Sequence, residues 1–389
     1  MNEKAFISFL LWVCFCSAVQ AQKIDSLQAV LDTAKNDQRV KTLNELFRAS
    51  LQRDPVMALG YTREALNLAT EINDQRGLAA SYNNLGIVYR NQGALDKALE
   101  YYIISLKIYE TLQNKEGIAT TKNNISTIYS IKKDYGQAMK YLEESYNLFV
   151  ELKDEQKIIG SMNNLGNLNS EIQLFEKAVS YFSQASQLSE KLGVKFADPL
   201  INLGNIYFRQ GNYQRAVEQY EKGLAIERES GNRLGALNAL TNIGITYARA
   251  KQPVPAQQYL DEAEKLCKEM ETHSFLPSIY KASAENFATQ GNWKAAYDMQ
   301  QKYDDAREKM YGEESTRKIA QMEMVIDFQE KEKEFDMLRQ EREITKLELY
   351  NSRLFIILMV MAAFLLIGGL NLAYLSKKKI IKRKKASTA

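Results

Sequence analysis

The chain is poor in residues that break helices and in residues that commonly carry out catalysis. It contains five prolines, one histidine and three cysteines in 389 residues. Proline disrupts helix interiors, so its scarcity, beside abundant Ala, Leu, Glu, Lys and Gln, predicts an all-α protein. The sequence also lacks a glycine-rich phosphate loop, a metal-spaced Cys or His cluster and an elbow serine. We therefore expect no enzymatic activity, no metal and no cofactor.

Positive charge is not in excess outside the C-terminus. The formal net charge is +3, and seven basic residues fall in the last thirteen positions, so the remainder of the chain is slightly acidic. A nucleic-acid-binding surface needs basic residues clustered on the folded body. We expect no nucleic-acid partner.

Residues 1–21 are predicted to be a secretory signal peptide. They contain Lys4, an apolar run from Ala5 to Ala18 and a small residue, Ala21, at the expected cleavage site. A membrane anchor is the alternative, but this run is shorter than the ~20 residues that cross a bilayer. Cleavage would leave Cys267 as the one remaining cysteine, which excludes an internal disulfide.

A second apolar run predicts a transmembrane helix at residues 353–375. Its segment Leu354–Leu375 carries no charged residue, and such a helix rises about 33 Å, enough to cross the hydrocarbon core. A basic tail at 376–389 follows, and the positive-inside rule places it in the cytoplasm. The body would then be periplasmic, on a single-pass protein of the cell inner membrane. The tail's lysines either only fix this orientation or also bind anionic headgroups.

An internal repeat with a period near 40 residues runs through the body of the chain. Small residues recur at Gly86, Ser126, Gly166, Gly204, Gly244 and Ala284. Twelve residues after each comes an alanine, at Ala98, Ala138, Ala178, Ala216, Ala256 and Ala296. Four residues later stand Tyr102, Leu142, Phe182, Tyr220, Leu260 and Gln300. A short polar turn separates the first two columns, so each copy predicts a helix hairpin whose small residues let two backbones approach.

These columns resemble the tetratricopeptide repeat, whose signature contains the same Leu-Gly, aromatic and alanine pattern. The resemblance implies a right-handed superhelical solenoid over residues 39–311, with about seven repeats, after a leading capping helix at 22–38. The longer period and the missing proline at the end of each repeat predict longer helices or links, as in the kinesin light chain type.

Residues 312–352 are predicted to form one long charged helix, because charge is dense and proline is absent. A set of residues in this segment keeps 3-4 spacing: Val325, Phe328, Glu332, Phe335, Arg339, Arg342, Lys346 and Leu349. Half of the set is charged. A parallel coiled-coil homodimer of low stability and a single solvated helix therefore both stay open.

Asparagines recur beside the small-residue column. Two residues before the small residue of each repeat lies an asparagine in five repeats: Asn84, Asn124, Asn164, Asn202 and Asn242. Three residues before it lies another asparagine in the first three of these repeats: Asn83, Asn123 and Asn163. The first helices of stacked hairpins line the inner groove, and a primary amide both donates and accepts, as a peptide backbone requires. In repeats of the kinesin light chain type, asparagines of this column hold an extended peptide. The resemblance implies that these eight residues bind a peptide.

A structural role is the alternative for these amides, because half-buried amides usually hydrogen-bond within the protein. In that case they would cap or bridge neighbouring helices of the stack. Selectivity for a bound peptide would come from positions that vary between repeats: Ile87, Thr127, Asn167, Asn205, Ile245, Arg90, Asn91, Arg209 and Arg249. The arginines favour an acidic ligand.

The order of these segments resembles the periplasmic input half of tetratricopeptide sensor kinases and transmembrane transcription regulators of Bacteroidetes-type bacteria. Only fourteen residues follow Leu375, so we expect no output domain within this chain. The sequence predicts a membrane-anchored protein that binds a protein or peptide in its concave groove, as scaffold or sensor input. The alternative is a signalling input subunit whose cytoplasmic output domain is lost or supplied by a partner.

Overall fold

The computed structural model describes residues 24–51 and 54–386, so the predicted signal peptide lies outside the described residues. The chain divides into two units, Met1–Gln321 and Met322–Ala389. Within the described ranges the secondary structure is helical, with turns between helices and no strand. The predicted all-α fold class is confirmed.

Helix hairpins follow one another along the first unit. A helix α1 covers residues 24–33, and the helices after it are α2 (Asn36–Ser50), α3 (Pro55–Glu71), α4 (Gln75–Asn91), α5 (Leu95–Thr111), α6 (Lys115–Ile131), α7 (Tyr135–Leu152), α8 (Glu155–Glu171), α9 (Phe175–Lys191), α10 (Asp198–Arg209), α11 (Tyr213–Ser230), α12 (Arg233–Arg249), α13 (Pro253–Glu269), α14 (Leu276–Thr289) and α15 (Trp293–Ala386). Each even-numbered helix from α2 to α12 packs against the odd-numbered helix that follows it. The even-numbered helices, α2 to α14, are the first helices of the hairpins.

The repeated glycines lie at the closest contacts within the hairpins. A Cβ added to Gly166 would lie 2.5 Å from Cε1 of Phe182, and one added to Gly204 would lie 2.5 Å from Cε1 of Tyr220. The prediction that this column lies at a helix–helix contact is confirmed. In both hairpins the ring of the second helix covers the glycine itself.

Side-chain caps and left-handed residues end and restart the helices. Asp74 accepts a hydrogen bond from the backbone N–H of Gly77 at 2.9 Å, and Asn114 accepts one from Gly117 at 3.0 Å. Between the two helices of a hairpin the backbone turns through a left-handed residue, such as Gly93 with φ +78°. Glycine adopts this conformation without steric cost. These turns let each hairpin from α4 to α15 close over three residues.

The repeat period shortens from 40 to 38 residues at α10. That helix has 12 residues, whereas α4, α6 and α8 have 17 each. The chain from 192 to 197 is not helical, and Pro199 lies in the first turn of α10. Proline suits the first turn of a helix and disfavours helix before it. The shorter period therefore reflects a shorter first helix, with the hairpin contact preserved.

The second unit consists of the continuation of α15. This helix begins at Trp293, as the second helix of the last hairpin, and ends at Ala386 without a break. Its segment Ile344–Leu370 is long and apolar enough to cross a membrane, by length and composition. The segment overlaps the predicted span at 353–375. The predicted coiled coil of residues 312–352 stays a prediction.

Candidate functional site

Asparagines of α2 to α10 form a row of amide pairs across consecutive first helices. In each pair the Nδ2 of one asparagine donates to the Oδ1 of an asparagine in the preceding first helix. The donor–acceptor distances are 2.7 Å for Asn84 and Asn44, 2.9 Å for Asn124 and Asn83, 3.0 Å for Asn164 and Asn123, and 3.0 Å for Asn202 and Asn163. We refer to these four pairs as the amide ladder.

The ladder brings together seven of the eight asparagines that the sequence predicts as a site. After the first pair, each donor lies two residues before the small-residue column, and each acceptor lies three residues before it in the previous repeat. Sequence analysis missed Asn44, which supplies the first acceptor. Asn44 lies 40 residues before Asn84, so the repeat period itself was the signal that could have found it.

The ladder ends at α10 because an apolar residue takes the next acceptor position. Ile201 lies three residues before Gly204 and is 6% exposed. Asn242, the remaining predicted residue, donates to Oδ1 of Asn238 in its own helix at 3.3 Å. Asn242 therefore lies on the same column as the ladder donors without joining the ladder.

The first pair of the ladder is buried and hydrogen-bonded within the protein. Asn44 and Asn84 are 5% and 1% exposed. Asn44 also donates to the backbone oxygen of Val40 at 3.0 Å and lies within hydrogen-bond distance of the Ser81 hydroxyl, at 3.3 Å. A buried amide with these partners has a structural role, bridging α2 and α4.

The other three pairs keep unused hydrogen-bonding atoms. An amide has two N–H donors and an acceptor oxygen, and each pair uses one of each. The donor residues Asn124, Asn164 and Asn202 are half-buried. None of their oxygens is among the buried, unpartnered side-chain atoms of the described residues. Their unused oxygens can therefore accept a further hydrogen bond.

A groove of about 520 Å³ lies among α2, α4 and α6, at the start of the ladder. Its lining includes Ala80, Asn83, Thr120, Arg48 and Arg76. Asn83 is the acceptor of the second amide pair. The groove and the ladder therefore share a surface formed by the first helices.

Charges of both signs line this groove. Glu116 forms an ion pair with Lys157 at 2.8 Å. The hydrogen bond and positive charge of Lys157 hold the pKa of Glu116 below its ordinary value, burial acts in the opposite direction, and Arg48 and Arg76 lower it further. Asp74 also lines the groove. The lining is neither uniformly basic nor uniformly acidic, so it provides no general preference for a partner of one charge.

Some of the variable positions predicted to set selectivity are engaged within the fold. Asn205 accepts a hydrogen bond from the Tyr220 hydroxyl at 2.8 Å, and Thr127 donates to the backbone oxygen of Asn123 at 3.1 Å. Asn167 is exposed. Ile87 and Ile245 are half-buried. Asn167 is thus the exposed residue among these five.

The predicted arginines also differ in their surroundings. Arg90 donates to Oδ1 of Asn91 at 3.2 Å, and Arg249 lies 3.5 Å from a carboxylate oxygen of Glu285. Arg209 is exposed, and its charge lowers the pKa of Tyr220, which burial raises. Two of the three arginines therefore already contact polar partners within the protein.

Cys267 is inside the apolar core of α13. Its side chain is 0% exposed, and burial raises the pKa of its thiol to about 11. A thiol must ionise to act as a nucleophile or metal ligand. Cys267 therefore packs as a small apolar residue. Across the described ranges, no three His, Cys, Asp or Glu side chains are grouped so as to hold a metal ion.

The family of tetratricopeptide repeats matches the chain over residues 49–111, 117–191 and 196–269. These ranges cover more than half of the chain and contain α3 to α5, α7 to α13 and all but the first two residues of α6. No curated protein matches the chain.

Solved structures share the fold at low sequence identity. The apo form of RapI is 18% identical, with a TM-score of 0.53 over 70% of this chain and 99% of that one. A Rap protein complexed with competence and sporulation factor is 14% identical, with a TM-score of 0.52 over 80% and 99%. A signal transduction ATPase with a tetratricopeptide repeat sensor, from Pyrococcus horikoshii, is 17% identical, with a TM-score of 0.62. The match to that ATPase covers 76% of this chain and 45% of the other, so the chain spans less than half of its length.

Proposed function

Because the chain belongs to the tetratricopeptide repeat family, we propose that it binds an extended segment of a protein partner along its first helices. The observation that carries this proposal is the set of three open amide pairs, Asn83–Asn124, Asn123–Asn164 and Asn163–Asn202. Each pair retains an unused amide oxygen on a half-buried asparagine and unused N–H groups.

A peptide unit has one N–H donor and one C=O acceptor. An amide pair with an unused oxygen and an unused N–H group complements both groups. Three such pairs in successive repeats could hold successive parts of an extended backbone, whatever its side chains. The mixed charge of the neighbouring groove also favours recognition through the backbone. The Rap protein solved with competence and sporulation factor is an instance of this fold holding a partner.

We propose that the solenoid is periplasmic and that Ile344–Leu370 anchors it in the inner membrane. The charge asymmetry around the apolar segment supports this orientation. Protease added to spheroplasts should then remove the solenoid and leave the lysine-rich tail protected. A solenoid that resists protease until the membrane is permeabilised would contradict this topology.

A role as the input of a signalling system is a second candidate. The continuous helix α15, which runs from the last hairpin through the apolar segment, supports it. In this proposal a partner protein supplies the cytoplasmic output. The protein would have no enzymatic activity of its own. Co-purification of a kinase or a DNA-binding regulator through residues 376–389 would favour the input role over a passive scaffold.

The binding proposal is tested with peptides selected from a random library on the full chain in detergent. Removing an amide from a bound backbone group costs about 1–3 kcal/mol, so Asn124→Ala with Asn164→Ala should weaken binding by more than about tenfold. The double variant Asn238→Ala with Asn242→Ala is the matched control, since it removes an amide pair outside the ladder. Its affinity should match that of the unaltered chain.

The melting temperature distinguishes a ladder that binds a peptide from a ladder that only stabilises the stack of helices. Ala80→Phe would fill the groove without removing an amide, so it should also reduce binding while leaving the melting temperature nearly unchanged. If the ladder variant melts earlier but binds the selected peptides as before, the asparagines only hold the stack together.

A further inference from the structure

The three open amide pairs repeat in the same way along the stack. In each pair the donor lies on the later of two consecutive first helices, and the donor–acceptor distance is 2.9 Å for Asn124, 3.0 Å for Asn164 and 3.0 Å for Asn202. Among the described residues, no hydrogen bond reaches the Oδ1 atoms of these three donors. The ladder therefore presents one acceptor atom per repeat, and a ligand that uses all three must itself repeat with the same step.

The step between these acceptors follows from the packing of the first helices. The helices α4, α6, α8 and α10 are neighbours, since the amide pairs bridge them directly. Packed helices have axes about 8–10 Å apart, so successive acceptors are separated by about this distance. A β-strand rises about 3.3 Å per residue and points alternate N–H groups to the same edge, so these groups lie about 6.6 Å or about 13 Å apart. Neither spacing matches the step of the ladder.

A polyproline II helix has the matching period. It has three residues per turn and rises about 3.1 Å per residue, so one turn spans about 9.3 Å. Its backbone forms no internal hydrogen bonds, so each N–H group is available to a binding partner. The N–H groups of residues three apart lie on the same side of this helix. One N–H group per turn of such a ligand can therefore meet one asparagine oxygen per repeat.

Small residues beside the ladder leave room for a ligand backbone. One helical turn before the acceptors of the three open pairs lie Ala80, Thr120 and Gly160, and residues three apart share one face of a helix. All three are half-buried, and a Cβ added to Gly160 would meet nothing within 4 Å. Ala80 and Thr120 also line the groove of about 520 Å³. A backbone can therefore approach the first helices closely along this row.

We infer that the partner segment binds in the polyproline II conformation, with three of its residues per repeat of the solenoid. This inference rests on the proposed function, because it specifies the ligand of the same ladder. Residues i, i+3 and i+6 of the segment donate their backbone N–H groups to the Oδ1 atoms of the three donors in turn. Proline has no N–H group, so it is excluded from these positions and accepted at the positions between them. Prolines there also hold the free segment in the bound conformation, which reduces the entropy that it loses on binding.

The test is a backbone N-methyl scan of the tightest-binding library peptide, measured on the full chain in detergent. N-methylation removes one N–H donor and keeps the side chain. Three positions spaced three residues apart should each lose about fivefold in affinity, the equivalent of one net hydrogen bond. N-methylation at the positions between them should leave the affinity nearly unchanged. Proline at those intermediate positions should keep or raise the affinity, whereas proline at a sensitive position should lower it.

Asparagine variants assign each sensitive position to one repeat. In the Asn124→Ala chain one of the three positions should become insensitive to N-methylation, and in the Asn164→Ala chain the sensitive position three residues away should do so. Asn242→Ala lies outside the ladder and is the matched control, so all three positions should stay sensitive in that chain. Sensitivity at every second position, at irregular positions or at none would overturn the inference and leave peptide binding itself intact. If no library peptide binds the chain, the proposed function fails and the inference fails with it.

Discussion

The two halves of the solenoid join their hairpins differently. From α2 to α10 an amide pair bridges each two consecutive first helices. From α10 to α15 no such pair occurs among the described residues, and one apolar cluster runs through all six helices. We refer to these regions as the ladder half and the apolar half. Ile201 marks their boundary, since it takes the position that Asn163 holds one repeat earlier.

The comparison separates the close packing that builds the hairpins in both halves from the amide ladder that occurs in one half. Glycine under a large side chain occurs in both halves, at Gly166 under Phe182 and at Gly244 under Leu260. Close packing is therefore sufficient to build a hairpin in either half. The ladder is an addition to one half, and its half-buried donors, Asn124, Asn164 and Asn202, are the residues that we propose bind a peptide backbone.

The largest expected effect concerns the packing that both halves share. Gly166→Ala should lower the free energy of unfolding by about 1–3 kcal/mol, because the added Cβ overpacks against Phe182. Gly160 lies in the same helix, and a Cβ there would meet nothing within 4 Å. Gly160→Ala should raise the free energy of unfolding by about 0.5–1 kcal/mol, because alanine has fewer backbone conformations than glycine in the unfolded chain. The measurement is the urea midpoint of each variant.

Gly244→Ala extends this test to the apolar half. Its added Cβ would lie 2.7 Å from Cγ of Leu260, so destabilisation in the same direction is expected. A neutral result at both Gly166 and Gly244 would show that the hairpin contacts are looser than the structure indicates.

The next effect sharpens the difference between the halves. A double-mutant cycle of Asn163→Ala and Asn202→Ala should give a coupling energy of about 1 kcal/mol, as a net hydrogen bond contributes. Ile201 and Asn242 occupy the equivalent positions one repeat later and should show little coupling when each is replaced by alanine. Urea unfolding of the four variants in each cycle measures both values.

Extending the ladder tests the same idea from the other direction. Ile201→Asn removes a buried apolar side chain and should destabilise the protein, but it also offers Asn242 an acceptor. Ile201→Asn should therefore lower the free energy of unfolding by less when Asn242 is present than in the Asn242→Ala background. Equal losses in the two backgrounds would show that α10 and α12 are not aligned as α8 and α10 are.

The smallest effect compares two buried tyrosines. The hydroxyl of Tyr220 donates to Asn205, whereas the hydroxyl of Tyr102 is buried without a partner, and burial raises the pKa of Tyr102 to about 12. Tyr220→Phe should cost about 1 kcal/mol, because it breaks a hydrogen bond and leaves Asn205 without its donor. Tyr102→Phe should be neutral or slightly stabilising, since no hydrogen bond is lost. A loss at Tyr102 as large as at Tyr220 would contradict the assignment of an unpaired hydroxyl.

The final helix illustrates where sequence analysis reached its limit. The charge pattern predicted a long charged helix at 312–352 that leads into a transmembrane helix at 353–375, after a solenoid ending at 311. The structure has one continuous helix from Trp293 to Ala386, which contains no proline and has one glycine, Gly312, at the predicted boundary. One glycine costs a helix only about 1 kcal/mol, so composition could not place a boundary there. The burial of Trp293 and Tyr297 depends on a neighbouring hairpin, so the sequence of the helix alone does not predict it.

The sequence by itself determined the helix hairpins, their number of residues per repeat and the positions of their close contacts. Those features depend on residues three, four and twelve apart, which local helix geometry brings together. Only the tertiary structure decided what the asparagines do. The side-chain amide of an asparagine can form the same hydrogen bonds with its own helix, with the next helix or with a ligand. The stagger between adjacent helices gives Asn124 the oxygen of Asn83, and the isoleucine at 201 leaves Asn242 to its own helix. That choice depends on which atoms the stack brings within about 3 Å of one another, the range of a hydrogen bond.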